Sequence, residues 1–365
     1  MSERVLVAMS GGVDSSVAAA LLREQGYEVI GIAMRLAPER PPTAMARRRG
    51  TCCSHDDFED ARRVAEKLDF PFYVIDLRAE FETRVVDNFV SEYLTGRTPN
   101  PCVMCNREIK FDRLWQRAAA LEADFVATGH YARIERDEAG RFHLLRARDE
   151  SKDQSYFLFT LGQCEMARTL FPLGSLSKTR VRALARALGL ANADKPESQE
   201  ICFVPQNDYA AFVTHNAPPE RIRSGNIRNA SGLKLARHRG IHQFTVGQRR
   251  GLGIASTAPL YVRAIDAETG DITVGQRGDL VSAGLIAGMV RLADPEISSR
   301  SEVKVEVKIR YRHPPLPASL RILDQDRAHV RFQNGGPAVT PGQACVFYRG
   351  DEVLGGGIIE TALES

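Results

Sequence analysis

The stretch Arg4-Val5-Leu6-Val7-Ala8-Met9-Ser10-Gly11-Gly12-Val13-Asp14-Ser15-Ser16 decides the fold. Residues 5–8 form a short apolar run, Gly11 and Gly12 break it, and residues 17–22 continue as an Ala- and Leu-rich segment of helical composition. A strand that runs through a Gly-rich turn into a helix N-terminus favours an anion. Glycines let the backbone approach it, successive N–H groups and the helix dipole attract negative charge, and serine hydroxyls donate without bulk. A phosphate group suits this place. The lysine of a GxxxxGK[ST] loop is absent and the spacing is not GxGxxG, so neither kinase-like phosphoryl transfer nor hydride transfer is supported. Asp14 is a candidate to hold Mg²⁺ on bound phosphates.

Working outward, the unit recurs. Residues 29–34 read as a strand, 58–68 as a helix and 72–77 as a strand, and 118–121 lead into an apolar 125–127. This alternation predicts a parallel sheet wrapped by helices. Ser177 is placed to cap a helix running to Leu188, with Gly189 at its C-terminal end. The pattern fades near Pro205 and gives way to short β-like stretches at 260–265, 271–274, 303–311, 328–332 and 344–348. The expected organisation is an α/β domain over 1–205, a small basic central domain over 206–280 and a β-barrel over 281–365.

With 43% hydrophobic and 26% charged residues, the 365-residue chain reads as folded throughout, and a lone small module is excluded. No apolar run approaches the ~20 residues of a membrane span. The opening MSERVLVAMSGG carries no export signal, which predicts a cytoplasmic protein. The net charge of +3 conceals a segment: residues 221–263 hold eight Arg and one Lys with no Asp or Glu, so the remainder carries −6. Nine cations without an acid point to a polyanion more than to a solvated face. In the later strand Val303, Val305, Val307 and Ile309 alternate with Lys304, Glu306, Lys308 and Arg310, giving one apolar and one mostly basic face.

Seven cysteines in a chain of this length predict thiol chemistry or metal binding rather than a disulfide scaffold. Cys102 and Cys105 form a Cys-x-x-Cys, which suits either half of a zinc site or a redox pair. No second Cys-x-x-Cys exists, and adjacent Cys52 and Cys53 are poor partners for a tetrahedral site. Cys202, between Ile201 and Phe203, reads on its own as a core residue.

Several longer strings occur together and in order. They are SGGVDSS at 10–16, TPNP with CN and EIKF at 98–111, ATGHYA at 127–132, KDQSYFL at 152–158, ICF at 201–203, TVGQRRGLGI at 245–254, and TPGQ with FYRG and LGGG at 340–357. SGGVDSS resembles the PP-loop of the ATP pyrophosphatases. The set as a whole closely resembles tRNA-specific 2-thiouridylase, end to end.

The resemblance implies a PP-loop domain of the adenine nucleotide alpha hydrolase type. It also implies a reaction in which ATP activates O2 of a tRNA wobble uridine and sulfur from a protein persulfide replaces that oxygen. By this resemblance Cys202 carries the persulfide, and Cys105 is its partner thiol, able to close a transient disulfide with it. Ala8, Met9, Ser10, Gly11, Gly12, Val13, Asp14, Ser15, Met34 and Gly129 match ATP-contacting positions. Asn100, Pro101 and Cys102 match the segment that holds the flipped target base, while His130, Lys152, Asp153, Gln154, Arg310, Tyr311 and Gln343 match tRNA-contacting positions. Many members carry Asp where this chain has Cys102, so no carboxylate stands there for acid or base work. An iron–sulfur cluster on Cys102, Cys105 and Cys202 is a less favoured alternative, its fourth ligand being unassigned. The implied small molecules are ATP and Mg²⁺, and the partners are tRNA and a persulfide donor, either a sulfur-relay protein or a cysteine desulfurase. A monomer with no membrane association is expected. The rival readings are another PP-loop enzyme acting on a small molecule or a different RNA base, and an RNA-binding protein with a degenerate nucleotide site.

Overall fold

The computed structural model describes residues 2–36, 55–196, 201–294, 297 and 302–364; Cys52 and Cys53 lie outside them. The chain divides into two compact units, neither of them continuous in sequence. The first comprises Met1–Val85, Cys102–Val204 and Asp351–Val353, and the second Val86–Pro101, Pro205–Gly350 and Leu354–Ser365.

The first unit is built on strands β1 (Arg4–Ala8), β2 (Glu28–Arg35), β3 (Phe72–Asp76) and β4 (Phe125–Thr128). An antiparallel hairpin of β5 (Ala132–Arg136) and β6 (Phe142–Arg146) follows, and the short β7 (Thr169–Leu170) completes the set. The main sheet is parallel in the order β3-β2-β1-β4-β7. Val5, Leu6 and Val7 of the central β1 are fully buried, as the unbroken apolar run requires of a strand covered on both faces. Each contributes about 1.5–3 kcal/mol by burial. Helix α1 (Val13–Glu24) follows β1, and α2 (His55–Lys67) lies between β2 and β3 in the chain. The small Ala18 and Ala19 of α1 are fully buried and share a core with Val181 and Ala185 of the helix Lys178–Ala187. Ser177 caps that helix, its Oγ accepting from Arg180 N at 3.2 Å; Leu188 is the C-cap, and Gly189 follows with φ +59°. The first residues of the last strand, Glu352 and Val353, extend the hairpin by pairing with Leu145 and Leu144.

In the second unit a four-stranded sheet of β8 (Gly225–Asn229), β9 (Lys234–His238), β10 (Tyr261–Ile265) and β11 (Ile272–Gly275) runs in the order β10-β11-β8-β9. It closes over Ile227, Phe244, Val262, Ile272 and Val274. Six strands then form a closed barrel: β12 (Ser282–Leu292), β13 (Glu302–Lys308), β14 (Leu316–Ile322), β15 (Ala328–Gly336), β16 (Ala344–Arg349) and β17 (Glu352–Glu364). The order is β12-β15-β14-β13-β16-β17, and β12 pairs β17 to close it. Val305 and Val307 face the barrel core, while Lys304 is exposed. The α/β architecture with a β-barrel C-terminal region is therefore the one expected. No helix of the described residues is long and apolar enough to cross a membrane.

Candidate functional site: a phosphate loop and two thiols in one unit

The first unit positions its loop from three sides. Gly12 is the N-cap of α1 and no side-chain cap hydrogen bond is made there, which leaves the first N–H groups of the helix without that partner among the described residues. Ser15 and Ser16 both turn their hydroxyls back onto the Gly12 carbonyl, at 3.2 and 3.0 Å. Gly11 has φ +71°, and a Cβ there would fall 2.2 Å from the Asp57 carbonyl oxygen, so only glycine fits between the loop and α2.

Behind the loop, Asn192 Nδ2 donates to Gly11 O at 3.0 Å and Ser16 Oγ at 2.9 Å. Lys195 Nζ reaches Gly11 O at 3.1 Å and the carboxylates of Asp57 and Asp60 at 2.6 Å each. Burial works to lower the Lys195 pKa, but the two carboxylates outweigh it and hold the ammonium above its ordinary value.

On the other side lies Asp14, in the first turn of α1. Its two oxygens accept from Lys178 Nζ at 2.8 and 2.7 Å, and Oδ1 also accepts from Tyr131 Oη at 2.8 Å. Sequence reading did not single out Lys178, Tyr131, Asn192 or Lys195. Lys178 is placed by the Ser177 cap, a local signal that was legible, whereas its reach to Asp14 is tertiary.

The β4 end carries the next predicted group. A Cβ on Gly129 would lie 2.7 Å from Ser15 N, so this backbone is pressed against the loop. His130 Nδ1 bonds Thr128 Oγ1 at 2.7 Å, and its ring stacks on Phe111 at 6.2 Å and meets Phe171 edge-on. Burial, with a smaller push from Lys110, lowers its pKa to about 3, so the imidazole is neutral at physiological pH and offers hydrogen bonding and stacking rather than charge. Gln154 exchanges two bonds with the Tyr131 backbone, at 2.9 and 2.8 Å. Asp153 is buried, and its carboxylate takes the N–H groups of Ala147 and Ser155 and the Ser155 hydroxyl, which makes it a turn-builder.

The thiols sit on distinctive backbone. A helical turn Pro101–Met104 widens into a π-helix over Cys105–Phe111 before α-geometry resumes at Asp112. Cys102 is exposed, Cys105 is buried and Cys202 is intermediate. Phe203, beside Cys202, packs edge-on against Phe81 at 5.5 Å, and the helix Arg78–Phe81 touches the π-helix that starts at Cys105. Phe111, at the far end of that π-helix, is the ring under His130. Loop, imidazole and the segments that carry both thiols thus belong to one unit. Among the described residues no three His, Cys, Asp or Glu side chains gather as a metal site.

Met34 and Lys152 lie in the first unit, whereas Asn100, Pro101, Arg310, Tyr311 and Gln343 belong to the second. Gln343 Nε2 donates to the carbonyls of Thr98 and Pro99 at 2.9 and 3.2 Å, so it fixes the backbone that leads into Asn100 and Pro101. One Arg310 guanidinium nitrogen bonds Ala338 O at 3.0 Å and Thr340 Oγ1 at 2.8 Å; the strand read over 303–311 ends at Lys308, and this anchoring holds the turn that follows it. Lys308 Nζ lies 5.7 Å from the Tyr311 ring. Within the acid-free segment, Arg228 is paired with Asp271 at 2.6 Å and Arg263 with Glu364 at 3.9 Å. Lys234, Arg237, Arg239, Arg249 and Arg250 are exposed and form no ion pair among the described residues. Arg249 lines an open depression of about 480 Å³ together with Leu252, Ile254 and Leu260.

A parallel sheet with an uncapped, Gly-rich loop at the N-terminus of its first helix defines a nucleotide-binding protein of the HUP class. A family profile described as "tRNA methyl transferase HUP domain" matches residues 3–206, with "tRNA methyl transferase PRC-barrel domain" at 210–276 and "Aminomethyltransferase beta-barrel domain" at 282–359. A Geotalea uraniireducens protein named tRNA-specific 2-thiouridylase MnmA is 53% identical over 364 residues, covering 100% of this chain and 96% of its own length. The protein of that name from Geobacter metallireducens is 52% identical, with 99% and 98% covered. The chain belongs to the tRNA-specific 2-thiouridylase family.

Proposed function

We propose that the chain is the ATP-dependent enzyme that places sulfur at C2 of the wobble uridine of tRNA. Uridine O2 attacks the α-phosphorus of ATP, pyrophosphate leaves, and the poor leaving group becomes AMP. The terminal sulfur of a Cys202 persulfide then attacks C2 and AMP departs. Cys105 thiolate attacks the Cys202 sulfur, breaks its S–S bond and leaves the transferred sulfur on the base. The product is a Cys105–Cys202 disulfide, which a thiol reductant must reopen before the next turnover, when a sulfur-relay protein or a cysteine desulfurase reloads Cys202.

The observation that carries this reading is the presence, in one unit, of the Gly-rich loop and of both thiols. The loop N–H groups and the α1 dipole bind the phosphates, and His130, neutral and stacked, contacts the tRNA. Mg²⁺, held mainly by the triphosphate, would neutralise part of its charge. One carboxylate beside phosphates suits that ion, and Asp14 would share it with Lys178. The methyl transfer named in the family description would call for S-adenosylmethionine, which carries no phosphate for this loop to hold. The exposed cations of residues 221–263 suit the RNA backbone, and action as a cytoplasmic monomer completes the reading.

The test is direct. Unmodified tRNA incubated with the enzyme, ATP, Mg²⁺, a persulfide donor and a thiol reductant should yield 2-thiouridine and AMP in equal amounts. Formation of neither would overturn the reading.

A further inference from the structure

The peptide that joins Gly11 to Gly12 has its two ends in different surroundings, all within the first unit. Its oxygen, on Gly11, accepts from Asn192 Nδ2 at 3.0 Å and from Lys195 Nζ at 3.1 Å. Its N–H, on Gly12, belongs to the N-cap residue of α1, where no side-chain cap hydrogen bond is made. In a planar trans peptide these two bonds point in opposite directions, so donors that hold the oxygen behind the loop aim the N–H out of its front. Asn192 places a further N–H on Ser16 Oγ at 2.9 Å, and Ser16 in turn donates to the Gly12 carbonyl at 3.0 Å. Lys195 is itself fixed by the carboxylates of Asp57 and Asp60 at 2.6 Å each. A peptide between two glycines has a second orientation open to it, reached by half a turn of the peptide plane. That turn would carry φ of Gly12 from −84° into the positive region at a ψ of 161°, a conformation that glycine alone adopts readily.

We propose that Asn192 and Lys195 are positioning residues for ATP, holding the Gly11–Gly12 peptide in the one of its two orientations that offers a donor to phosphate. Reversed, the peptide would turn a carbonyl oxygen toward the phosphate oxygens, and the loop would repel what it now attracts. The retained orientation keeps two hydrogen bonds on the Gly11 oxygen, one of them from a charged donor and so roughly twice as strong as a neutral bond. Both bonds polarise the peptide, which makes the Gly12 N–H a stronger donor in its turn. Asn192 is buried and engages Gly11 O and Ser16 Oγ through Nδ2, while its Oδ1 has no hydrogen-bond partner among the described residues. The amide is thus kept for what it donates, although its oxygen finds no donor. Apparent affinity for a phosphate ligand scales with the fraction of molecules whose peptide is correctly turned, and these two side chains set that fraction.

The inference rests on the reading of the loop as the ATP site and is independent of the thiol chemistry. Full-length protein is titrated with ATP and with inorganic pyrophosphate by isothermal titration calorimetry, and thermal melts of the same samples establish that each variant is folded. Asn192→Leu, close to isosteric and without a donor, should raise both dissociation constants about tenfold as the reversed orientation becomes populated. Gly12→Ala supplies the deciding background. Alanine accepts φ −84° with ψ 161°, its Cβ would meet only the Ser10 hydroxyl, at 3.3 Å, and it resists the positive φ of the reversed peptide. In a chain that carries Gly12→Ala, Asn192→Leu should therefore cost less than about threefold. Lys195→Met should show the same dependence on background, its lost charge acting equally in both, and it carries the comparison alone should Asn192→Leu not fold. Equal losses in the two backgrounds, or no loss in either, would overturn the proposal. Wild-type protein that binds neither ligand would overturn the reading of the loop and this inference with it, whereas absence of 2-thiouridine beside the expected titrations would overturn the activity alone.

Discussion

Cys102, Cys105 and Cys202 differ first in their access to solvent, and that difference sets what each residue can be asked to do. Cys202 is partly accessible, which suits the sulfur carrier proposed for it. Cys202→Ser should abolish 2-thiouridine formation while leaving tRNA affinity within about twofold, measured by filter binding; a large loss of binding would make the residue structural. Two histidines carry opposite pH signatures. His143 donates to Glu352 at 2.6 Å and to Asp137 at 3.1 Å, and these carboxylates raise its pKa. Its stabilisation is complete below the unfolded value of about 6.5 and fades as pH rises through the folded value. His130, depressed to about 3 by burial, contributes above about 6.5 and loses that contribution as pH falls toward 3. Thermal melts of His143→Gln should therefore lose slope on the alkaline side and those of His130→Phe on the acid side; the reverse pattern would contradict the assignments. Cys202 shows how little a single position reveals. Between Ile201 and Phe203 it reads as core, and only the surrounding strings mark it otherwise.

Elements were legible where local pattern and tertiary demand agree. The apolar residues 5–8 and 29–34 became β1 and β2, and the Ser177 cap was visible because a short polar side chain before a helical run has a local job. Ser177→Ala should cost about 1 kcal/mol of stability and, by loosening the helix start that carries Lys178, raise the KM for ATP. A denaturation midpoint and KM both unchanged would mean that the helix start is held by its packing alone. Two of the barrel strands missed share a cause. β12 and β17 contain Gly284, Gly288 and Gly355–Gly357, which lower strand propensity, but the closed barrel brings backbones together at these points. A Cβ on Gly355, at φ +142°, would stand 2.2 Å from Arg291 O. The π-helix at Cys105 has no sequence signature either, because its widening follows from what packs around it. The same holds for the candidate site. Gly11 to Ser15 could be read locally, whereas Lys178 and Lys195 meet the loop from residues more than a hundred positions away.

At the scale of the molecule the charge distribution is the feature most open to measurement. Arg249 and Arg250 are exposed and make no ion pair among the described residues, so replacing both by Ala removes charge without undoing a structural bond. tRNA affinity should fall, and the slope of log K against log salt should flatten by about 0.7–0.9 for each phosphate that is no longer neutralised. An unchanged slope would take these side chains out of the interface. The charge was countable in the sequence; which cations are already paired, as Arg228 is with Asp271, was not.

The discontinuity of both units has a consequence for synthesis. Asp351 accepts from Arg133 at 3.1 Å, and Glu352 and Val353 add a strand segment to the β5–β6 hairpin, so the first unit receives its last piece only after residue 350 has been made. The hairpin waits with an open edge while some two hundred residues emerge from the ribosome. A message cut short before codon 351 would thus leave the first unit without its last strand segment as well as the barrel without β17.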